Sequence, residues 1–233
     1  MAAVLYAIAA PLGGAPAAAL PAPALEIVRS LRDFVAENAK TARAFLAAVG
    51  MPCPLREVSI TTMDEHTPAG ALSELLAPLR AGRPLGLLSE AGCPAIADPG
   101  AQLVEAAQRA GFRVAPLIGP CSIVLALMAS GLEGQRFAFC GYLPRDKPQR
   151  EQRIRALEQR SRRERETQIF IETPYRNDAL VSALLQTCGP ETRLCIASDL
   201  TLESESVVTR SVMQWRAAPP KIGKRPTVFL LLA

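Results

Sequence analysis

Between residues 84 and 131, short apolar runs alternate with Gly/Pro loops and helix-length segments, and this rhythm restricts the fold more than any other feature. Residues 84–88 read as a buried strand and 89–94 as a loop. Asp98 then caps a helix with Pro99 at its first position, and Gly111 ends it. Residues 112–118 form the next strand, and 119–122 turn into a helix that stops at Gly131. Strand, helix and strand joined by such short loops require βαβ units and a largely parallel sheet.

The flanking sequence extends this pattern. Residues 4–9 and 58–62 are strands, 69–80 is one helix, and 24–49 carries two helical pieces, with a short strand and turn as the alternative around 35–41. The second half has a different texture. Strands at 137–142, 168–172, 194–198, 207–209 and 227–232 surround a charged helix at 145–166 and another reaching about residue 188. Two α/β domains follow, 1–117 and 118–233. With 49% hydrophobic and 21% charged residues, either domain can bury a core.

Several function classes drop out. The apolar stretch 1–24 has no basic residue before it and is broken by Pro11, Gly13 and Gly14, so it reads as neither signal peptide nor membrane span. Six cysteines without a CxxC pair fit reduced thiols in a cytoplasmic protein. A single histidine, His66, gives no metal site. There is no GxGxxG, no GxxxxGK[ST] and no nucleophile elbow. Loops 11–14, 89–98, 119–122 and 172–176 each follow an apolar strand, where open α/β sheets bind ligands, although short turns need the same Gly and Pro.

The run 87–100, LLSEAGCPAIADPG, resembles the "SDAGxPxxSDPG" segment of the tetrapyrrole methylase superfamily, in the branch that contains small-subunit ribosomal RNA 2′-O-methyltransferases. Residues 5–13, 37–43, 119–122, 170–176 and 199–205 resemble further segments of that family in the same order. The resemblance implies a two-lobed α/β fold, with a largely parallel N-terminal sheet, a mixed C-terminal sheet and a cofactor cleft between them. It also implies S-adenosylmethionine as cofactor, a homodimer, and methyl transfer to an acceptor such as ribosomal RNA. Carried over by position, the cofactor contacts are Pro11, Ser89, Glu90, Ala91, Gly92, Cys93, Pro94, Ile96, Ser122, Ile171, Ala197 and Thr227. A tetrapyrrole C-methylase and a binding module without catalysis are the alternatives.

The departures concentrate in the candidate substrate loops. The family's Thr is Ala10, its acidic-Thr-Arg trio is Asn38-Ala39-Lys40, its first Asp is Glu90, and its His is Tyr175. His66, in the polar loop 64–67, and Glu90 are the catalytic candidates, the first as a base and the second as an acceptor-orienting carboxylate. Glu172 and Arg176 are spaced to pair across a turn. The nine basic and five acidic residues of 145–166 fit a solvated helix better than a phosphate-binding surface.

Overall fold

A computed structural model describes residues 3–64 and 66–233. The chain divides into two compact units, 1–121 and 122–233. In the first, β1 (Val4–Ile8), β2 (Asp33–Ala36), β3 (Ser59–Thr62), β4 (Leu85–Leu88) and β5 (Arg113–Pro116) form one sheet in the order β3-β2-β4-β1-β5. Every pairing in it is parallel. Helices α1 (Pro16–Ala19), α2 (Ala22–Ser30), α3 (Ala39–Val49), α4 (Ala69–Leu75), α5 (Ala77–Arg80) and α6 (Ala101–Arg109) make the connections.

The strand order decides where a ligand can enter. From β1 the chain moves toward β2, whereas from β4 it crosses β1 to reach β5. With right-handed crossovers, the loops leaving β1 and β4 diverge to opposite faces, and a crevice opens between the carboxyl ends of these adjacent strands. Two apolar clusters hold the unit. One joins β1 and β2 to α2 and α3 through Ile8, Val28, Phe34 and Leu46. The other joins β4 to α4, α5 and α6 through Leu85, Leu87, Leu79 and Leu103.

Local chemistry corrects three expectations. The strand of the alternative expected around 35–41 lies at 33–36, where β2 pairs on both sides and separates α2 from α3, and α3 already begins at Ala39. The helix expected over 69–80 breaks at Leu76. Pro78 has no N–H to give, and its ring would clash with the preceding turn, so α5 starts afresh. Asp98 does not cap α6. Gly100, at φ 133, is the N-cap, and its backbone lies so close to β4 that a Cβ would come within 3.0 Å of Leu87 Cδ2. Asp98 and Pro99 are thereby left in the loop. The loop at 64–67 is described except for Glu65, which lies outside the described residues with Met1 and Ala2.

The second unit contains α7 (Ser122–Ser130), β6 (Phe137–Tyr142), α8 (Lys147–Glu164), β7 (Thr167–Ile171), α9 (Asn177–Thr187), β8 (Arg193–Ser198), β9 (Ser206–Ser211), α10 (Val212–Ala217) and β10 (Thr227–Leu232). The sheet runs β6-β7-β10-β8-β9, parallel at β6–β7 and antiparallel elsewhere. Its core packs Phe170 and Phe229, stacked at 6.0 Å, against α8, α9 and α10. Trp215 is anchored there by a 2.9 Å bond to the Leu194 carbonyl. The short α10 was absent from the sequence reading, although Ser211 and Gln214 make a reciprocal capping box. Among the described residues, no helix is long and apolar enough to cross a membrane.

Candidate functional site

The loops leaving β1 and β4 meet at the crevice. The Ala10 amide donates to the Gly92 carbonyl at 2.8 Å, and the Gly92 amide donates back to Ala10 at 3.0 Å. Ser89 is buried, and its hydroxyl donates to the Gly92 carbonyl at 2.6 Å. Ser89 therefore shapes the loop from within rather than offering its hydroxyl outward. A cavity of about 240 Å³ lies here, lined by Pro11, Gly14, Thr41, Phe45, Ser89 and Glu90. Hollows of about 680 and 510 Å³ lie elsewhere, among the helices α4 to α6 and beside α9 and α10.

Residues 92–100 carry a cluster of left-handed backbone conformations. Gly92, Ala95, Ala97 and Gly100 all have positive φ, at 75, 65, 58 and 133 degrees. For alanine that conformation costs about 1–2 kcal/mol, and such strain is concentrated at ligand-binding sites. Among the described residues, the amides of Ala91, Ala95 and Ala97 meet no protein acceptor. Ile96, on the same loop, is 49% exposed. Pro94 is buried, and Cys93 directs its thiol to the Pro120 carbonyl at 3.4 Å. Burial, and then the neighbouring Cys121, push the Cys93 thiol above its usual range, which fits packing better than nucleophilic use.

Carboxylates gather at the same strand ends. Glu90 is exposed and accepts from Thr41 Oγ1 at 3.1 Å. Asn38, which replaces the family's acidic residue, caps α3 by accepting from the amides of Lys40 and Thr41 at 2.9 and 3.4 Å. Asp98 is pushed up to about 7 by burial, then by the charges of Glu37 and Glu90. It lines a second cavity of about 330 Å³ with Met63, Asp64, Ala97 and Gln102. A carboxyl that titrates near neutrality suits proton transfer, and sequence reading missed it by treating Asp98 as a helix cap. The available signal was charge: residues 84–108 contain three acids and no Lys or Arg.

His66 sits in an exposed turn beyond β3, which is two strands from β4. Its amide donates to Asp64 Oδ1 at 2.9 Å. The Thr67 hydroxyl, and then that amide, hold the Asp64 carboxyl below its ordinary range. The turn is thus internally hydrogen-bonded, and its Asp64 shares the cavity with Asp98.

The remaining candidates belong to the second unit. Ile171, Val228 and Ala197 lie opposite one another across β7, β10 and β8, on one sheet face. Thr227 pairs with Ser198 on the other face, 2.8 Å between hydroxyls, and donates to the Arg225 carbonyl at 3.0 Å. Ser122 begins α7. The pair Glu172–Arg176 forms as expected: Glu172 is buried and accepts from Arg176 Nε at 2.9 Å and from the Thr173 amide at 2.7 Å. Along α8, Lys147 and Arg155 flank Glu151 at 3.9 and 3.5 Å, and Arg160 pairs with Glu166 at 2.9 Å, as a solvated helix requires. Among the described residues, no group of three His, Cys, Asp or Glu side chains could hold a metal ion.

A profile of the family described as Tetrapyrrole (Corrin/Porphyrin) Methylases matches residues 5–214. The chain is similar to the "Ribosomal RNA small subunit methyltransferase I" of Pseudomonas aeruginosa, 32% identical over 184 residues, covering 79% of this chain and 62% of that protein. It is also similar to the protein of the same name from Xylella fastidiosa, 33% identical and covering 92% of this chain and 75% of the relative. The chain thus spans less than two thirds of the Pseudomonas protein. Among solved structures, the methyltransferase CobJ shares the fold at TM-score 0.64 and 17% identity, over 100% of this chain and 94% of that one.

Proposed function

We propose that this chain, which belongs to the tetrapyrrole (corrin/porphyrin) methylase family, transfers a methyl group from S-adenosylmethionine to an RNA hydroxyl, the ribose 2′ oxygen of ribosomal RNA. The observation that carries the cofactor is the character of the paired loops after β1 and β4. The loop after β4 holds Ala95 and Ala97 at positive φ and leaves the amides of Ala91, Ala95 and Ala97 without a protein acceptor among the described residues, and residues 3–28 and 84–108 hold no Lys or Arg. A phosphate-bearing cofactor would meet Glu90 and Asp98 with no Lys or Arg on either loop. A cationic, phosphate-free cofactor fits that donor set, its amino-acid end meeting main-chain groups.

When bound, S-adenosylmethionine supplies an electrophilic methyl group on sulfur. The chain's own residues then have two tasks. Ala91 to Ile96 fix the cofactor through backbone contacts, while Glu90, held by Thr41, orients the acceptor near reacting distance. Asp98 accepts the proton that leaves the acceptor oxygen as the new bond to carbon forms, replacing His66 as the preferred base. The same reading gives cofactor contacts to Ser122, Ile171, Ala197 and Thr227 of the second unit, each testable by substitution. The protein is further read as a cytoplasmic homodimer. Its six unpaired thiols support the compartment, and α7 supports the dimer, an almost wholly apolar helix that leaves Val124 and Met128 exposed one turn apart.

The test is transfer of labelled methyl from S-adenosylmethionine to ribosomal RNA or to a tetrapyrrole. Label at ribose 2′ oxygens is the expected result. Label in the tetrapyrrole alone would favour a C-methylase, and cofactor binding without transfer to any fraction would favour a non-catalytic module.

A further inference from the structure

Tyr175 is the most exposed large apolar side chain of the second unit, at 80%. It stands on the short turn Pro174–Arg176 directly after β7, at the strand end where open sheets place ligands. An aromatic ring this open buries little apolar area, and its partner is a lysine rather than the core. The Lys224 ammonium lies 4.9 Å from the ring centroid, and Lys221 and Arg225 share its loop.

Both loops are rigidly built. Asn177 is fully buried and its amide donates to the carbonyls of Gly223 and Arg225 at 3.1 and 2.8 Å. Asp178 accepts from the amides of Ile222 and Gly223 at 2.9 and 3.2 Å, and the Ile222 side chain is buried in the core. Arg225 is tied to Asp199 at 2.6 Å, and Arg176 to Glu172. The carboxylates of Glu172, Asp178 and Asp199 are therefore committed. Among the described residues, neither Lys221 nor Lys224 pairs with a carboxylate, in contrast to the paired cations of α8. A ring that carries the Lys224 ammonium over one face and leaves the other open matches what single strands require, a stacking surface for a base and cations for the adjoining phosphates. A protein partner would want a broader apolar area around the ring, and the flanks here are lysine and proline.

We propose that Tyr175, with Lys224 over its ring and Lys221 on the same loop, forms a stacking platform that holds one nucleotide of the single-stranded RNA acceptor. This rests on the RNA-methyltransferase reading above and assigns Tyr175 a substrate-positioning role.

The experiment measures binding of a short fluorescein-labelled single-stranded RNA, and of an abasic ribose-phosphate oligomer of equal length, to the full chain with S-adenosylhomocysteine present. Tyr175→Ala should weaken RNA binding about 5- to 150-fold, leave the abasic oligomer's weaker binding unchanged, and leave cofactor affinity intact. Tyr175→Phe, which keeps the ring, should restore RNA binding. Lys224→Gln should lower the slope of log affinity against log salt by about 0.7. RNA binding that ignores Tyr175→Ala, or an equal loss on the abasic oligomer, overturns the platform and leaves the methyltransferase reading standing. Displacement of RNA by polyglutamate, with the same dependence on Tyr175, overturns it in favour of an acidic peptide site. A protein that binds the cofactor and no RNA sinks the platform and the RNA acceptor together.

Discussion

Replacing Asp98 by Asn tests whether the acidic strand ends store charge repulsion. Burial and the charges of Glu37 and Glu90 raise the Asp98 carboxyl from 3.8 to about 7. The folded state therefore holds a proton that the unfolded chain releases between those values. That contribution to stability is complete below about pH 4 and is lost progressively as pH rises to about 7, with no further change above. At 1.36 kcal/mol per pH unit the full loss is about 4 kcal/mol. The carboxyl is only half-buried, and solvent screening reduces the expected figure to about 1–2 kcal/mol. Asparagine keeps the shape and cannot ionise. Asp98→Asn should match the wild type near the low end of this window and exceed it by about 1–2 kcal/mol above pH 7. Urea denaturation across the window measures the gap, and adding Glu90→Gln should shrink it. A gap that stays constant with pH, or a wild type that is the more stable protein above pH 7, would refute the reasoning.

Three further outcomes follow from the same structure. Glu172→Gln leaves the Arg176 guanidinium without its buried partner and should cost about 2–4 kcal/mol, read from the urea midpoint. Gly92→Val places a β-branched residue at φ 75, with its Cβ 3.4 Å from Leu12 Cδ2, and should abolish cofactor binding in calorimetry while circular dichroism stays unchanged. Ser211→Ala removes half of the capping box on α10 and should cost about 0.5–2 kcal/mol, visible as faster hydrogen exchange in 212–217.

The parallel sheet was legible because β4 is an apolar run after Pro84 and the stretch around β5 is closed by Gly119 and Pro120, and the last strand is apolar after Thr227. The errors have physical causes. Asp98-Pro99 looks like a helix start, yet the backbone of Gly100 decides where α6 begins, and its close approach to Leu87 is a tertiary fact. Pro78 was visible and should have split the helix at 69–80. The motif 87–100 marks the loop after β4 but not the inner roles of its side chains. Ser89 turns its hydroxyl into the Gly92 carbonyl, and Thr227 spends its own on Ser198 and Arg225. Asp98 becomes a titrating group because the fold half-buries it and, with β2 and β4 neighbours, brings the charges of Glu37 and Glu90 near it. No local pattern carries that information.

Calorimetric titration of S-adenosylmethionine and S-adenosylhomocysteine into the purified protein, with NAD and ATP as controls, tests the central claim most directly. The cation-free loops after β1 and β4 predict saturable binding of the first two and none of the phosphate-bearing controls. Binding of NAD or ATP, or a folded protein that takes up neither S-adenosyl compound, would contradict it.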